Sequence, residues 1–341
     1  MKLSDVCTKG TSNIAQKDLD ARNGTYPIYG ASGFIKNVDF YHQEKPYIAI
    51  VKDGAGVGRV MQLPAKSSVI GTMQYIIPKE GVSVEYLAYA LEHMNLSKYY
   101  LGAAIPHIYF KDYCNESLPN YTPEEQARIS QILGVVCNLI SLRKQQLAKL
   151  DQLVKSRFIE MFGDPITNSK CLPTNNLGKV LLLKAGDFTA ASDIAADPTT
   201  ENIYPCYGGN GIRGYVAEYN QEGSYSLIGR QGALSGNVQY ATGKFKNTEH
   251  ALLVTPLIEM NSVWLNHLLI NLDLQRYQTG AAQPGLSVKN LQEIPIIEVP
   301  KEDQNQFADF VKQTDKSKLA IQQSLEQLEI LKKSLMQKYF G

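Results

Sequence analysis

The chain is written twice, and no other feature constrains its fold as much. Tyr26-Pro27-Ile28-Tyr29-Gly30 recurs as Tyr204-Pro205-Cys206-Tyr207-Gly208, an offset of 178 residues. The same offset pairs Gly33 with Gly211, Tyr41 with Tyr219, Tyr47 with Tyr225, Gly54-Ala55 with Gly232-Ala233, Gly58 with Gly236 and Val60 with Val238. About 15 of the 35 positions from Tyr26 to Val60 match without a gap, which makes an internal repeat the first organising fact. The register persists: Leu96 and Tyr99 meet Leu274 and Tyr277, Gly102-Ala103-Ala104 meets Gly280-Ala281-Ala282, Pro106 meets Pro284 and Lys111 meets Lys289. At the far end Lys155-Ser156 and Phe162-Gly163 match Lys333-Ser334 and Phe340-Gly341.

Each repeat has two parts. The first, 1–121 and 177–299, mixes short β-branched and aromatic runs such as Tyr47-Ile48-Ala49-Ile50-Val51 and Ala251-Leu252-Leu253-Val254 with Gly and Pro punctuation. That pattern predicts an α+β domain with a mostly antiparallel sheet. A helix is expected over Val84 to Met94, matched by Ser262 to Leu272. The second part, 122–163 and 300–341, is a long helix. Thr122-Pro123-Glu124-Glu125 sets Thr at the N-cap, Pro at the first helical position and Glu where a capping box needs it. From there Ile129, Leu133, Val136, Ile140, Leu147, Leu150 and Val154 recur by fours and threes, with Arg143 and Arg157 in the same seam. The second copy starts less cleanly after Pro300 and carries Ile321, Leu325, Leu328 and Leu335, interrupted by Thr314, Lys318 and Lys332. Neither stripe buries itself, so the expected architecture is a tandem pseudo-two-fold repeat. Two globular mixed α/β domains are joined by two long antiparallel coiled-coil helices. The stretch 164–176 carries Pro165, Pro173 and several Asn and reads as a linker.

Negative evidence narrows the function. Gly54-Ala55-Gly56-Val57-Gly58 resembles a phosphate loop, but Val60-Met61-Gln62-Leu63-Pro64 follows it where a dinucleotide fingerprint needs a helix. The second copy keeps only Gly232 and Gly236, so a hairpin turn or a close backbone approach is the better reading. No GxxxxGK[ST] or HExxH motif occurs, nor the Asp/Asn-Pro-Pro-aromatic signature of amino-methyltransferases, and the five histidines do not sit at metal-ligand spacing. Neither catalysis nor a cofactor or metal is expected. Five scattered cysteines without a CxxC pair fit a reducing cytoplasm. The opening Met1-Lys2-Leu3-Ser4-Asp5 lacks a signal-peptide core, and no apolar run is long enough for a membrane span. Lys and Arg number 34 against 33 Asp and Glu. Such neutrality argues against a strong stand-alone binder of phosphates, though not against a basic stripe or a partner that supplies phosphate contacts.

The order of domain, long helix, domain, long helix resembles the specificity subunit of type I restriction–modification systems. The resemblance is carried by Tyr26-Pro27-Ile28-Tyr29-Gly30 with its echo at Tyr204, the Gly-Ala-x-x-Gly segments at Gly54 and Gly232, and Thr248-Glu249-His250-Ala251. Pro106-His107-Ile108, Gln283-Pro284-Gly285-Leu286, Pro123-Glu124-Glu125-Gln126 and Lys155-Ser156-Arg157-Phe158-Ile159-Glu160-Met161-Phe162-Gly163 complete it, so it covers essentially the whole chain. It implies a non-catalytic subunit whose two target-recognition domains each read half of a bipartite double-stranded DNA site. Two methyltransferase subunits ride on the helices, and a restriction subunit is an optional further partner. A helix of about 36 residues is roughly 54 Å long, enough to seat two domains about one DNA turn, roughly 34 Å, apart. The alternative is a coiled-coil adaptor whose paired domains bind protein; an enzyme comes third.

The duplication nominates the DNA-binding residues. Positions identical in both halves should be scaffold or phosphate contacts, as Lys111 and Lys289 are. Polar positions that differ between identities are where the halves can read different bases. These are Lys52-Asp53 against Arg230-Gln231, Arg59 against Asn237, and His107 and Tyr109 against Gly285 and Ser287. Thr72 and Gln74 in the first domain, and Thr248 and His250 in the second, join them where Gly71-Thr72-Met73-Gln74-Tyr75 stands in place of Thr248-Glu249-His250-Ala251.

Overall fold

The structure is a computed structural model of the chain and describes residues 1–102, 106–232, 234–280 and 285–341. Ala103 and Ala104, Ala233, Ala281 and Ala282, and Gln283-Pro284 of the matched segments lie outside the described residues. The first half runs α1 (Leu3–Val6), β1 (Cys7–Thr11), β2 (Tyr26–Gly30), β3 (Gly33–Val38), β4 (Tyr47–Val51), β5 (Val60–Leu63), β6 (Ser68–Val69), β7 (Met73–Pro78), α2 (Val84–His93), α3 (Phe110–Tyr113) and α4 (Pro123–Phe162). The second runs β8 (Thr174–Asn176), α5 (Leu177–Val180), β9 (Leu181–Ala185), β10 (Tyr204–Gly208), β11 (Gly211–Val216), β12 (Gln221–Gly229), β13 (Val238–Asn247), β14 (Ala251–Pro256), α6 (Ser262–Asn271), α7 (Val288–Gln292), β15 (Pro295–Ile297) and α8 (Lys301–Phe340).

The two sheets share one topology, and a single proline makes them look different. In the second domain the order is β11-β10-β13-β12-β14-β9, antiparallel except where β10 meets β13. In the first domain β1-β7-β4-β5 and β3-β2-β6 are separate sheets. Their strands occupy the same places, with β5 and β6 together standing for β13. Pro64 follows β5 at once and cannot donate to a ladder, and Lys66 turns into a left-handed conformation at φ +53°. The strand breaks there, whereas β13 carries Thr242-Gly243-Lys244 through the same stretch.

Two compact units emerge, and each takes part of both long helices. Unit 1 comprises Met1–Lys144 with Gln323–Gly341, and unit 2 comprises Gln145–Gln322. Within unit 1 the start of α4 lies beside the end of α8. Ile129 and Leu133 bury against Tyr86 of α2 and Met336 of α8. The Tyr121 hydroxyl donates to the Tyr339 carbonyl at 3.3 Å, and Lys144 pairs with Glu329 at 3.1 Å. Within unit 2 the end of α4 meets the start of α8: Phe158 and Phe162 pack on Phe307 and close over Trp264 of α6. The helices therefore run antiparallel within each unit. The capping box forms as its sequence requires, with Thr122 N–H donating to Glu125 and Glu125 N–H to the Thr122 hydroxyl.

Burial along the helices follows how many layers surround each stretch. Where a domain adds a third layer, Ile129, Leu133, Val136 and Val154 are buried, as are Phe307 and Val311. Where the two helices have only each other, Ile140, Leu325 and Leu328 in unit 1, and Leu147, Leu150 and Ile321 in unit 2, are half-buried, and Leu335 is half-buried against the cluster of Tyr86 and Met336. The stretch read as a linker is ordered by its own polar side chains. Asp164 accepts from Ile166 N–H and from the Thr167 hydroxyl, Asn168 accepts from Leu172 N–H, and β8 pairs with β15.

Candidate functional site

The glycine segment after β4 is a tight hairpin turn, and it explains why its glycines recur. Gly58 has φ +86°, and a Cβ there would lie 2.5 Å from the Ser97 backbone nitrogen. Gly236, at φ +93°, would put a Cβ 2.6 Å from the Gln275 nitrogen. Both glycines let the hairpin press against a short 3₁₀ turn, Leu96–Tyr99 in one domain and Leu274–Tyr277 in the other.

This turn carries the candidate site of the first domain. Lys52 and Asp53 N–H groups donate to the Thr72 carbonyl at 3.0 and 3.3 Å, Ile108 N–H donates to the Lys52 carbonyl at 3.0 Å, and Asp53 bridges to His107. Three separated segments are thus stitched into one surface. On it the Asp53 carboxylate takes the His107 Nδ1 and lies 3.7 Å from the Lys52 ammonium. The Tyr109 ring stands edge-on to His107 at 4.1 Å, and Lys111 hangs over Tyr109 at 5.2 Å. Lys52, Gln74, His107, Tyr109 and Lys111 line one pocket of about 230 Å³ with Lys9 and Thr11. Those last two were missed from sequence because they sit on β1, whose pairing with β7 is a long-range contact. Thr72 is exposed at the edge of the cluster. Arg59 is exposed and points elsewhere, donating to the Ala31 carbonyl in the β2–β3 turn at 3.0 Å.

The second domain repeats the backbone frame with other side chains. Arg230 N–H donates to the His250 carbonyl and Leu286 N–H to the Arg230 carbonyl, both at 2.9 Å, while Gln231 bridges to Gly285. Where the first domain holds an imidazole, the second has Gly285, and among the described residues a Cβ there would meet the Arg230 carbonyl at 3.5 Å. Ser287 stands at the N-cap position of α7 without a side-chain capping bond and is exposed, as is Lys289 in the first turn. His250 is half-buried beside Glu249, 3.2 Å away. Asn237 donates to Asn210 at 2.8 Å, so it reaches the β10–β11 turn as Arg59 reaches the β2–β3 turn.

Two candidates lie inside their domains. Thr248 is fully buried, its hydroxyl donating to the Tyr207 carbonyl at 2.8 Å. Gln74 is 5% exposed and accepts from the Tyr113 hydroxyl at 3.0 Å. The offset places Thr248 opposite Ile70 and Gln74 opposite Leu252, both buried core positions. Each has its hydrogen-bond partner inside the domain, and Gln74 also lines the pocket beside Lys52.

Among the described residues no group of three or more His, Cys, Asp or Glu is placed to hold a metal, and no helix is long and apolar enough to cross a membrane. The polar clusters at the turns can donate and accept hydrogen bonds.

Comparison with known proteins gives this arrangement a family. The model of the type I restriction modification DNA specificity domain matches residues 1–152 and again 175–330. The type I restriction enzyme EcoprrI specificity subunit of Escherichia coli is 41% identical over 157 residues, 46% of this chain and 37% of that protein. A putative type I restriction enzyme specificity subunit of Haemophilus influenzae is 35% identical over 95 residues, 27% of this chain and 25% of that protein. Both matches span well under half of the relative's length. In fold, the chain is similar over its whole length to the S subunit of a type I restriction–modification system from M. genitalium, with a TM-score of 0.69 at 18% identity and 95% of that chain covered. A structure described as showing complex assembly and conformational transition of the type I R-M system matches with a TM-score of 0.55 at 15% identity, covering 96% of its chain. With both halves matched by one family model and the whole fold shared with S subunits, the chain belongs to the type I restriction–modification DNA specificity family.

Proposed function

We propose that the chain is the sequence-reading subunit of a DNA-modifying complex, each domain reading one half of a bipartite duplex site. On this reading the chain performs no chemistry. The long helices space the half-sites and carry two methyltransferase subunits, with a restriction subunit as an optional further partner, in the cytoplasm. One observation carries the reading. The same hydrogen-bonded frame, 52–53 with 72 and 107–108 in one domain and 230–231 with 250 and 285–286 in the other, displays different polar side chains in its two copies. A frame held constant under varied donors and acceptors is what reading two different base sequences requires.

Arg230 suits a guanine edge and Gln231 an adenine edge, whereas Asp53 and His107 offer an acceptor and a ring nitrogen. Lys111 and Lys289, exposed at equivalent positions of α3 and α7, suit phosphates. A formal net charge of +1 fits weak binding by the chain alone, with affinity and salt dependence rising once partners add phosphate contacts. The test is the methylated motif of a host with and without this gene. The expected motif is bipartite with unlike halves, and replacing 1–121 by a copy of 177–299 should turn it into a palindrome. An unchanged motif after that replacement refutes the reading.

A further inference from the structure

One buried glutamine fastens each recognition domain to its long helix. Gln126, on the first turn of α4 and 3% exposed, accepts the Ser83 backbone N–H through Oε1 at 3.0 Å and donates from Nε2 to the Tyr121 carbonyl at 3.0 Å. Gln304, on the first turn of α8 and 4% exposed, accepts the Asn261 N–H at 2.8 Å and donates to the Val299 carbonyl at 2.8 Å. Every partner in one clasp maps onto the other at the offset of 178. Ser83 and Asn261 are the N-caps of α2 and α6, the helices packed beneath the sheets. A single amide therefore ties the domain's helix, the chain entering the long helix and the long helix itself.

Packing alone does not call for this residue. Leucine would fill the space without the cost of burying an amide, and what the amide adds is direction. The surrounding contacts differ between units while the glutamine does not. Unit 1 adds a bond from the Tyr86 hydroxyl to the Pro119 carbonyl; unit 2 has Trp264 at that position and adds a bond from Asn261 to Asn305 instead. The shared element is the one that sets an angle.

From this geometry we infer that Gln126 and Gln304 are positioning residues for half-site reading. Each fixes the angle at which its domain leaves the helices, and so helps fix the number of base pairs between half-sites. The inference rests on the DNA-reading function proposed above. The test uses the full chain expressed with its methyltransferase subunits, comparing wild type with Gln126→Leu, Gln304→Leu and Gln126→Glu, which keeps the acceptor facing Ser83. Methylome sequencing should show both leucine variants keeping the half-site bases. Sites with a spacer one base pair longer or shorter should rise about tenfold over wild type. Gln126→Glu should recover most of the single-spacer behaviour, and amide exchange at Ser83 should rise in Gln126→Leu but not in Gln126→Glu. Should Gln126→Leu fail to assemble, Gln304→Leu and Gln126→Glu are read against the same criteria. Reduced methylation at an unchanged spacer in every variant would make the clasps merely structural and overturn the inference. A wild-type motif that is not bipartite would overturn the DNA-reading proposal and this inference together.

Discussion

Phe162 offers a sharp test of how unit 2 is held together, because the chain's single tryptophan reports on it. Phe162 is 2% exposed and sits at 5.1 Å from Phe158, 5.8 Å from Phe307 and 6.1 Å from Trp264, whose own side chain is fully buried. Phe162→Ala removes a ring that joins both long helices to α6. Deleting a buried phenylalanine costs about 3–5 kcal/mol, from lost transfer energy and the cavity left behind. For a unit of this size urea unfolds with a slope of about 2 kcal/mol per molar, so the midpoint should fall by about 1.5–2.5 M. The assay is urea denaturation followed by Trp264 fluorescence. Phe188→Ala is the control: it lies in the same unit but is 79% exposed, so its midpoint should move by less than about 0.3 M. Equal shifts for the two variants, or a Phe162→Ala shift under about 0.5 M, would refute the assignment of the α4 end to the core of unit 2.

Burial pushes the His267 imidazole down to about 4, with Lys318 adding to the depression and Asp315 opposing it. Its folded value lies below its unfolded one, so the stability it contributes is full above about pH 6.5 and is lost as pH falls toward 4. His267→Tyr, the residue found at the matching position 89, should flatten the pH dependence of the Trp264 transition across that window; an unchanged slope contradicts the sign. Gly58→Ala should destabilise unit 1 by about 1–3 kcal/mol and Gly54→Ala by about 1 kcal/mol. Both glycines have positive φ, but only Gly58 lacks room for a Cβ, and equal melting temperatures for the two variants would contradict that distinction. Arg230→Ala with Gln231→Ala should relax one half of the methylated motif, at about 1–3 kcal/mol per lost bidentate contact. Thr248→Val should leave the motif intact and lower only stability; a changed motif would return Thr248 to the surface.

Sequence alone made the architecture legible because a duplicated chain carries its own alignment. The 178-residue register paired the long helices, and their heptads placed hydrophobic residues where one helix face must meet another. Strand order was not legible. Pairings such as β1 with β7 and β9 with β14 join segments far apart in the chain, and no local pattern encodes them. Nor did the pattern show that Pro64 would split one sheet into two while its counterpart stayed whole.

At the candidate site, the register held more than was first drawn from it. Gln74 and Thr248 were nominated from the stretch where the two copies depart, yet the offset sets them against Leu252 and Ile70, both of which are buried. The converse holds at the clasps. Gln126 and Gln304 are identical at the offset and both buried at a helix start, and a buried amide is kept where its hydrogen bonds are made inside. Applied to the remaining candidates, the same criterion separates Lys111 and Lys289, which are alike and exposed, from Asp53 and Gln231, which differ on an identical frame. What a repeat conserves at a buried polar position is geometry. What it varies at a framed and accessible one is, on the reading proposed above, the sequence it can read.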